Sequence, residues 1–564
     1  MSVRGIYGLS GSGLDIESMV KVGMMGKQSE YDKMAQKYTK NEWTKAAYLE
    51  LNTNITTFNT TKLSDYKMSK TMNAKTATSS NDAIKVTANA GAQLMTHRVE
   101  VSNLAYNAYL IGTEAVTRKN TSDDAKSSIK LADALFKGDM TDNDDGTYTV
   151  TYGAGNTFTK EFDKDEVAFK FTISNGTKEE TIKYTYGQLY TDGVTFNDLA
   201  SKISNISGLN IKASYDSVND RFSFYNTTNG SESNITFKLD AVSASGYGSA
   251  SNDEIATLNA RDFLNNLHLK KSVSGETQAI SAFATGSSNT VEGKDGTIKI
   301  DGADYTTKDN KVTVSGVIYD VTGATTGSSS TVSVSQDTDA IVDKVKSFVE
   351  DYNKLLSSLY EKYDEKPDSN YKPLTQSQKD AMKEEQITKW EEKAKKGLLY
   401  HDQTISRIIL NMRSAISNTV DGIDGKYNSA YSLGIGTTGI KGQLTFDESK
   451  LRAALAEDPD AVYNVFAKLD SNDDAKGNGV AQRLGDVFAS ATKKIKSKAG
   501  SSADITEDSE LNNLLRNLQT KMSNFKKMMT SFEDALYKKY DKMESMLARL
   551  GTQMNYVMGS TGNQ

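Results

Sequence analysis

The chain has 564 residues, which at roughly 150 residues per domain implies three or four domains rather than one small catalytic fold. Hydrophobic residues make up 37%; counting glycine in and tyrosine out keeps the apolar share below the ~45–50% usual for globular chains, so thin cores and an extended shape are expected. With 67 Lys plus Arg against 73 Asp plus Glu the net charge is -6, which lacks the basic footprint of a nucleic-acid binder.

The first segment, Met1-Ser2-Val3-Arg4-Gly5-Ile6-Tyr7-Gly8, lacks the apolar core of a secretory leader, and no run is long enough to span a bilayer. The expectation is a cytosolic protein, or one exported without a cleaved leader. Ser12-Gly13-Leu14-Asp15 reads as a capping-box helix start. Beyond it Met24, Tyr31, Met34 and Tyr38 recur at helical spacing, and after Trp43 the stripe resumes with Tyr48, Leu51, Ile55 and Phe58. Two helical seams with a soft junction are predicted.

From Ile84 to Val334 the period changes to two. Val167, Phe169, Phe171 and Ile173 alternate with polar residues, Asn175-Gly176 predicts a type I′ turn, and Ile182, Tyr184 and Tyr186 alternate back. Ile211, Ala213 and Tyr215 lead to Phe222 and Phe224. Ile298 and Ile300 precede Asp301-Gly302, with Val312, Val314, Val317, Tyr319 and Val321 following. Short strands with regular turns predict one or two antiparallel sandwich-like domains.

Helix returns at Ile341 with the stripe Val345, Phe348, Tyr352, Leu355 and Leu359, and again through Ile405, Ile409, Met412 and Ile416. Pro367 and Pro373 bracket a loop between them, and the charged run from Lys379 to Lys396 around Trp390 reads as a solvated helix with exposed ion pairs. Leu444 and Phe446 alternate as a strand, Leu451 and Leu455 follow at helical spacing, and Asp458-Pro459 is read as an N-cap and first-turn proline. The last segment has the longest pattern. Leu515, Met522, Met529, Leu536, Met543, Leu550 and Val557 occupy one heptad position, and Leu511, Leu518, Phe525 and Phe532 a second, which moves one place at Tyr540, Leu547 and Met554. Seams at both chain ends predict that the termini pair.

No catalytic constellation emerges. There is no Cys, and His97, His268 and His401 are far apart, so each is read as a surface or packing residue rather than a metal ligand. The glycines of Gly8-Leu9-Ser10-Gly11-Ser12-Gly13 follow no strand, and Gly26-Lys27 is followed by Gln28, so neither is a phosphate loop. Asp142-Asn143-Asp144-Asp145-Gly146 has Tyr152 where a calcium loop needs its bidentate Glu, and a hairpin turn at Asp145-Gly146 is expected instead. No cofactor is expected.

Three blocks carry a resemblance. Gly11-Ser12-Gly13-Leu14-Asp15-Ile16-Glu17-Ser18-Met19-Val20, the strand-to-helix passage from Val332 to Leu356, and LGIGTTGIKGQLTFDESKLRAALAEDPDAV from Leu433 to Val462 together resemble the hook-associated protein 2 family of bacterial flagellar filament caps. The resemblance implies an α+β multidomain fold: terminal coiled-coil helices, a helical leg domain, and antiparallel β-sandwich-like head domains. The boundaries read are 1–45 for the N-terminal coil, 46–90 and 335–505 for the leg, 91–160 and 275–334 for the head, 161–274 for an inserted outer head, and 506–564 for the C-terminal coil. It further implies a non-enzyme, a ring of five or six copies at the filament tip that retains exported flagellin and promotes its folding and insertion. The implied partners are flagellin, the junction hook-associated proteins and a cytosolic export chaperone, with no nucleic acid and no membrane insertion. Location at the flagellum tip, after leaderless export, follows from the same resemblance. The oligomer and filament contacts are assigned to Met24, Tyr31, Met34, Tyr38, Leu515, Met522, Met529, Leu536, Met543 and Leu550. Two other readings remain open: a tip adhesin that binds host glycan or mucin through the tyrosine-rich β head, and an enzyme built on carboxylates.

Overall fold

The computed structural model describes residues 15–119, 129–135, 140–152, 158–273, 276–325, 327–470 and 476–560. Ser12 and the glycine-rich stretch before it lie outside the described residues, as do any features of the first 14 positions. The chain forms two compact units, one from residues 1–74 with 336–564 and one from 75–335. Each holds together through its own core.

In the first unit α1 (Ile16–Thr57) is one helix of 42 residues. The Asp15 carboxylate accepts from the Ser18 backbone N–H at 3.0 Å, satisfying one of the free donors at the helix start. The soft junction expected near Trp43 is absent. No Gly or Pro lies between Lys27 and Leu63 to break the helix; the change in the stripe marks a change of surroundings instead. Before Trp43 the stripe residues Met24, Tyr31, Met34 and Tyr38 are half-buried, whereas Tyr48, Leu51 and Ile55 are buried in the core of this unit. The helix then runs into a π-helical turn at Phe58–Leu63.

Three more long helices line that core and a fourth lies along α1. α2 (Thr338–Asp364) starts where the Asp337 carboxylate accepts from Ala340 N–H, and buries the stripe Ile341, Val345, Phe348, Tyr352, Leu355 and Leu359. Each of the larger side chains contributes about 1.5–3 kcal/mol by leaving water, an upper estimate. α3 (Gln403–Ser417) is capped by Asp402 and buries Ile405, Ile409, Met412 and Ile416. α4 (Val480–Ala499) contributes Leu484, Phe488 and Ile495, and α5 (Glu510–Ser560) is a single helix of 51 residues. α2 packs on α3, α3 on α4, α4 on α1 and α1 on α2, and α5 lies along α1.

A hairpin, Ile435–Thr438 with Gln443–Phe446, covers one side of α2. The helix after it spans Glu448–Glu457. The next helix begins at Ala461, not at Pro459 as Asp458-Pro459 suggested, because the Asp458 carboxylate accepts from Asp460 N–H and closes a turn first. The charged run forms short helices Gln376–Asp380 and Glu384–Ala394 with no buried residue. Trp390 donates from Nε1 to the Lys372 carbonyl at 2.8 Å.

Strands of the second unit pair antiparallel, Ile211–Asp216 with Arg221–Asn226 and Gly296–Ile300 with Ala303–Thr307 among them. One core lies between a five-stranded sheet and a three-stranded one. The first runs Lys75–Ser79, Ser330–Gln336, Thr96–Asn103, Gly296–Ile300, Ala303–Thr307; the second runs Lys311–Val314, Val317–Val321, Ile84–Ala88. Val99, Val101, Ile298, Ile300, Tyr319 and Val332 fill it. The larger second core gathers Phe169, Phe171, Phe196, Phe222, Phe224, Phe237 and Phe263 under helices Phe196–Ser204 and Asn252–Asn266.

Ile300 pairs with Ala303 across a two-residue turn, with Asp301 and Gly302 at φ 49° and 88°. The Asn175-Gly176 turn differs. Ser174 pairs with Glu179, leaving four loop residues, and of Asn175 and Gly176 only the glycine has positive φ, at 87°. The Asn175 side-chain oxygen accepts from Thr177 and Lys178 N–H, so an Asx turn replaces the type I′ turn. At Asp145-Gly146 a hairpin turn forms as expected, with the Asp145 carboxylate accepting from Thr147 N–H and Oγ–H.

Candidate functional site

The predicted seam residues share one feature of the first unit, the pairing of α1 with α5. Three contacts fix its direction. Leu536 lies against Gly23, where an added Cβ would meet Leu536 Cδ1 at 2.8 Å; Lys27 Nζ stands 5.8 Å from the Phe525 ring; and Lys45 reaches the loop before α5. Rising numbers in α1 meet falling numbers in α5, so the helices run antiparallel. Gly23 has a purpose here, since without a side chain it lets the Leu536 branch close onto the α1 backbone.

The pairing is anchored at its base by polar groups on the apolar stripe. Lys45 is buried and donates to the Ala503 and Asp504 carbonyls at 3.0 and 2.7 Å. Burial pulls its pKa down, against the opposing pull of Asp504 and Glu507. Asn512, also buried, donates to the Glu507 carbonyl at 2.9 Å. Arg516 donates to the Thr506 and Glu507 carbonyls at 3.0 and 3.3 Å. One level further in, Asp402 accepts from Tyr48 Oη–H and pairs with Lys498 at 2.9 Å. Burial alone would raise the Asp402 pKa, but these donors outweigh it and the net shift is downward.

Burial along α5 falls from this base, whereas on α1 Ile16 and Val20, near the far end of the seam, are buried again. Leu515 and Leu518 are buried. Met522, Phe525, Met529, Leu536, Tyr540 and Met543 are half-buried, as are Met24, Tyr31, Met34 and Tyr38 on α1. Phe532 is exposed while Leu536, Tyr537 and Tyr540 turn inward, which is the rotation of the second row seen in the sequence. Counted from the Gly23 and Leu536 contact, Ile16 is level with Met543, and α5 continues for about 25 Å beyond that point. There Leu550 is 58% exposed, and Met546, Met554, Tyr556, Val557 and Met558 are exposed as well. Leu550 therefore differs from the other nine seam residues, which are buried or half-buried.

Sequence reasoning missed Lys45, Asp402, Lys498 and Asn512. Lys45 had a signal, a cation on the stripe that continues through Tyr48 and Ile55. The others are joined only by tertiary contact. The three histidines are apart, as expected. His97 donates from Nδ1 to Asp301 at 2.6 Å within the second unit, His268 contacts Thr117, and His401 stacks on Tyr363. No group of three metal-binding side chains occurs among the described residues, and no described helix is long and apolar enough to cross a membrane.

Comparison with known proteins bears on the whole chain. Residues 12–108 match the model described as Flagellar hook-associated protein 2 N-terminus, and 293–552 match the one described as Flagellar hook-associated protein 2 C-terminus. A flagellar hook-associated protein 2 from Halalkalibacterium halodurans is 25% identical over 96% of this chain and 97% of its own length. Its counterpart from Thermotoga maritima is 25% identical over 97% and 94%. Among solved structures, the D1-D2-D3 domains of the flagellar cap protein FliD from Escherichia coli align at 17% identity and TM-score 0.47, covering 80% of this chain and 99% of that one. With both halves of one family's description matched over more than half of its residues, the chain belongs to the flagellar hook-associated protein 2 family.

Proposed function

We propose that this protein is a flagellar filament cap, a ring at the growing tip that retains exported flagellin and promotes its folding and insertion. Family membership supports the flagellar assignment. The observation that carries the mechanical part is the far end of α5, where Met546, Leu550, Met554 and Tyr556 are exposed among the described residues. A helix with such a row needs neighbours to cover it. Copies of this chain, flagellin and the junction hook-associated proteins supply them at a filament end, and an export chaperone supplies cover before that. Five or six copies, and passage to the tip without a cleaved leader, belong to the same reading. The glycan-binding alternative has less support, because many tyrosines of the β middle, including Tyr148, Tyr152, Tyr184, Tyr186 and Tyr215, are buried in packing, with Tyr190 and Tyr225 among the exposed ones.

Deleting residues 511–564 tests the proposal. The head keeps its cooperative thermal transition, since its strands pair among themselves, and cells carrying the truncated protein leak flagellin into the medium. Filaments of normal length without leakage would refute the cap function.

A further inference from the structure

The sulfur of this chain is concentrated in the pairing of α1 with α5. There is no Cys, and of the 18 Met four lie on α1 and seven on α5. Five of these belong to the seam: Met24 and Met34 on α1, and Met522, Met529 and Met543 on α5, all half-buried. Counted from the Gly23 and Leu536 contact, Met34 falls within about one turn of Met522, and Met24, next to Gly23, within about two turns of Met529. The thioethers therefore alternate between the two helices along the pairing.

Their surroundings differ from those of the other methionines. Between Met522 and Met543 every α5 side chain is half-buried or exposed, and the same holds on α1 from Met24 to Tyr38. The seam has no dry interior there, so a solute little larger than water reaches its sulfurs. Met72 and Met412, by contrast, are fully buried in the core of this unit. Met25, Met68 and Met95 are exposed and lie outside the seam.

In a chain without thiols, the thioether is the sulfur that a two-electron oxidant meets. A peroxide transfers one oxygen atom: the O–O bond breaks as the S–O bond forms, the sulfur gives up two electrons, and the second oxygen leaves as water. No C–S bond breaks. A flexible apolar side chain becomes a polar one, whose new oxygen must be hydrated or hydrogen-bonded. Hydrating it fully at a seam position means parting the helices. The base resists, because Lys45 and Asn512 hold it through backbone carbonyls and Leu515 and Leu518 are buried there. Opening therefore stops near Leu518.

We propose that Met24, Met34, Met522, Met529 and Met543 are oxidation sites for peroxide, and that their conversion to methionine sulfoxide parts α1 from α5 beyond Leu518 while the core of this unit stays folded. Neither a ring nor a filament is involved, so this reading and the cap reading fail separately.

The test treats the full-length protein with hydrogen peroxide and takes two readouts from one sample: peptide mass spectrometry for the gain of one oxygen atom at each Met, and hydrogen exchange. At a dose that converts the five seam Met and leaves Met72 and Met412 as thioethers, exchange across residues 522–543 rises at least about tenfold, while residues 341–359 of α2 stay protected. A variant with Met24→Leu, Met34→Leu, Met522→Leu, Met529→Leu and Met543→Leu, swaps of similar volume, keeps slow exchange at the same dose. A control with Met25→Leu, Met68→Leu and Met95→Leu loses it as the unaltered chain does. Methionine sulfoxide reductases with a dithiol return the oxidised unaltered chain to slow exchange, which decides the matter even where the five-leucine chain pairs poorly. Complete oxidation of the five with unchanged exchange would overturn the proposal. Equal loss of protection in the five-leucine variant, oxidation of Met72 and Met412 as early as the seam, or removal of the oxygen without return of slow exchange would do the same.

Discussion

α2 and α5 carry the same kind of apolar row and have opposite fates. α2 has 27 residues and buries Ile341, Val342, Val345, Phe348, Val349, Tyr352, Leu355, Leu356 and Leu359. α5 has 51 residues, and of its apolar side chains only Leu515 and Leu518 are buried among those described. A periodic row states which face of a helix avoids water but not what covers it. For α2 the cover is the rest of the leg, closed within one chain. For α5 it is α1 up to about Met543, and beyond that Met546, Leu550, Met554 and Tyr556 are exposed among the described residues.

The sharpest way to break the comparison is to cut equivalent apolar side chains from the two helices. Phe348→Ala should cost about 3–5 kcal/mol, because Phe348 is buried against Tyr66 and Phe466 and its loss leaves a cavity. Leu550→Ala should change the stability of the isolated protein by no more than about 0.5 kcal/mol. Denaturant unfolding of both variants measures this. Similar losses would mean that the far end of α5 is already packed.

A smaller effect should appear with pH. The Asp402 carboxyl is held below its usual value by Tyr48 and Lys498 despite its burial. Its contribution to leg stability is therefore present above the usual carboxylate value of 3.8 and is lost as pH falls through the lowered folded value. Asp402→Asn should lower the leg's melting temperature at pH 7 and flatten its decline in acid. An unchanged acid slope in that variant would remove Asp402 from the account.

The smallest effect is expected at Gly23. Alanine there gains about 0.8–1 kcal/mol in helix propensity and displaces Leu536, whose Cδ1 would be 2.8 Å from the new Cβ. These oppose each other, and the net change in melting should be slight. A loss of several kcal/mol would show that Leu536 has no room to move.

These contrasts also show what the sequence could tell. The rows of α2, α3 and α5 were legible because 3.6-residue periodicity survives any tertiary arrangement. The Asp301-Gly302 turn was legible because its backbone conformation favours those residues. Asn175-Gly176 misled because the same residues serve an Asx turn when two more positions join the loop. The junction at Trp43 misled because a change in what surrounds a helix looks like a break in it. At the base of the coil, Lys45 was readable as a cation on an apolar stripe, whereas the Asp402, Tyr48 and Lys498 cluster joins three distant segments and has no local pattern.

The central claim is that Met546, Leu550, Met554 and Tyr556, exposed among the described residues near the end of α5, are covered by assembly. Hydrogen exchange across residues 546–558 tests it directly, comparing dilute free protein with protein bound at filament ends. The account predicts fast exchange in the free protein and strong protection after binding, with residues 341–359 of α2 protected in both. Protection of 546–558 in the free monomer, or none after binding, would contradict it.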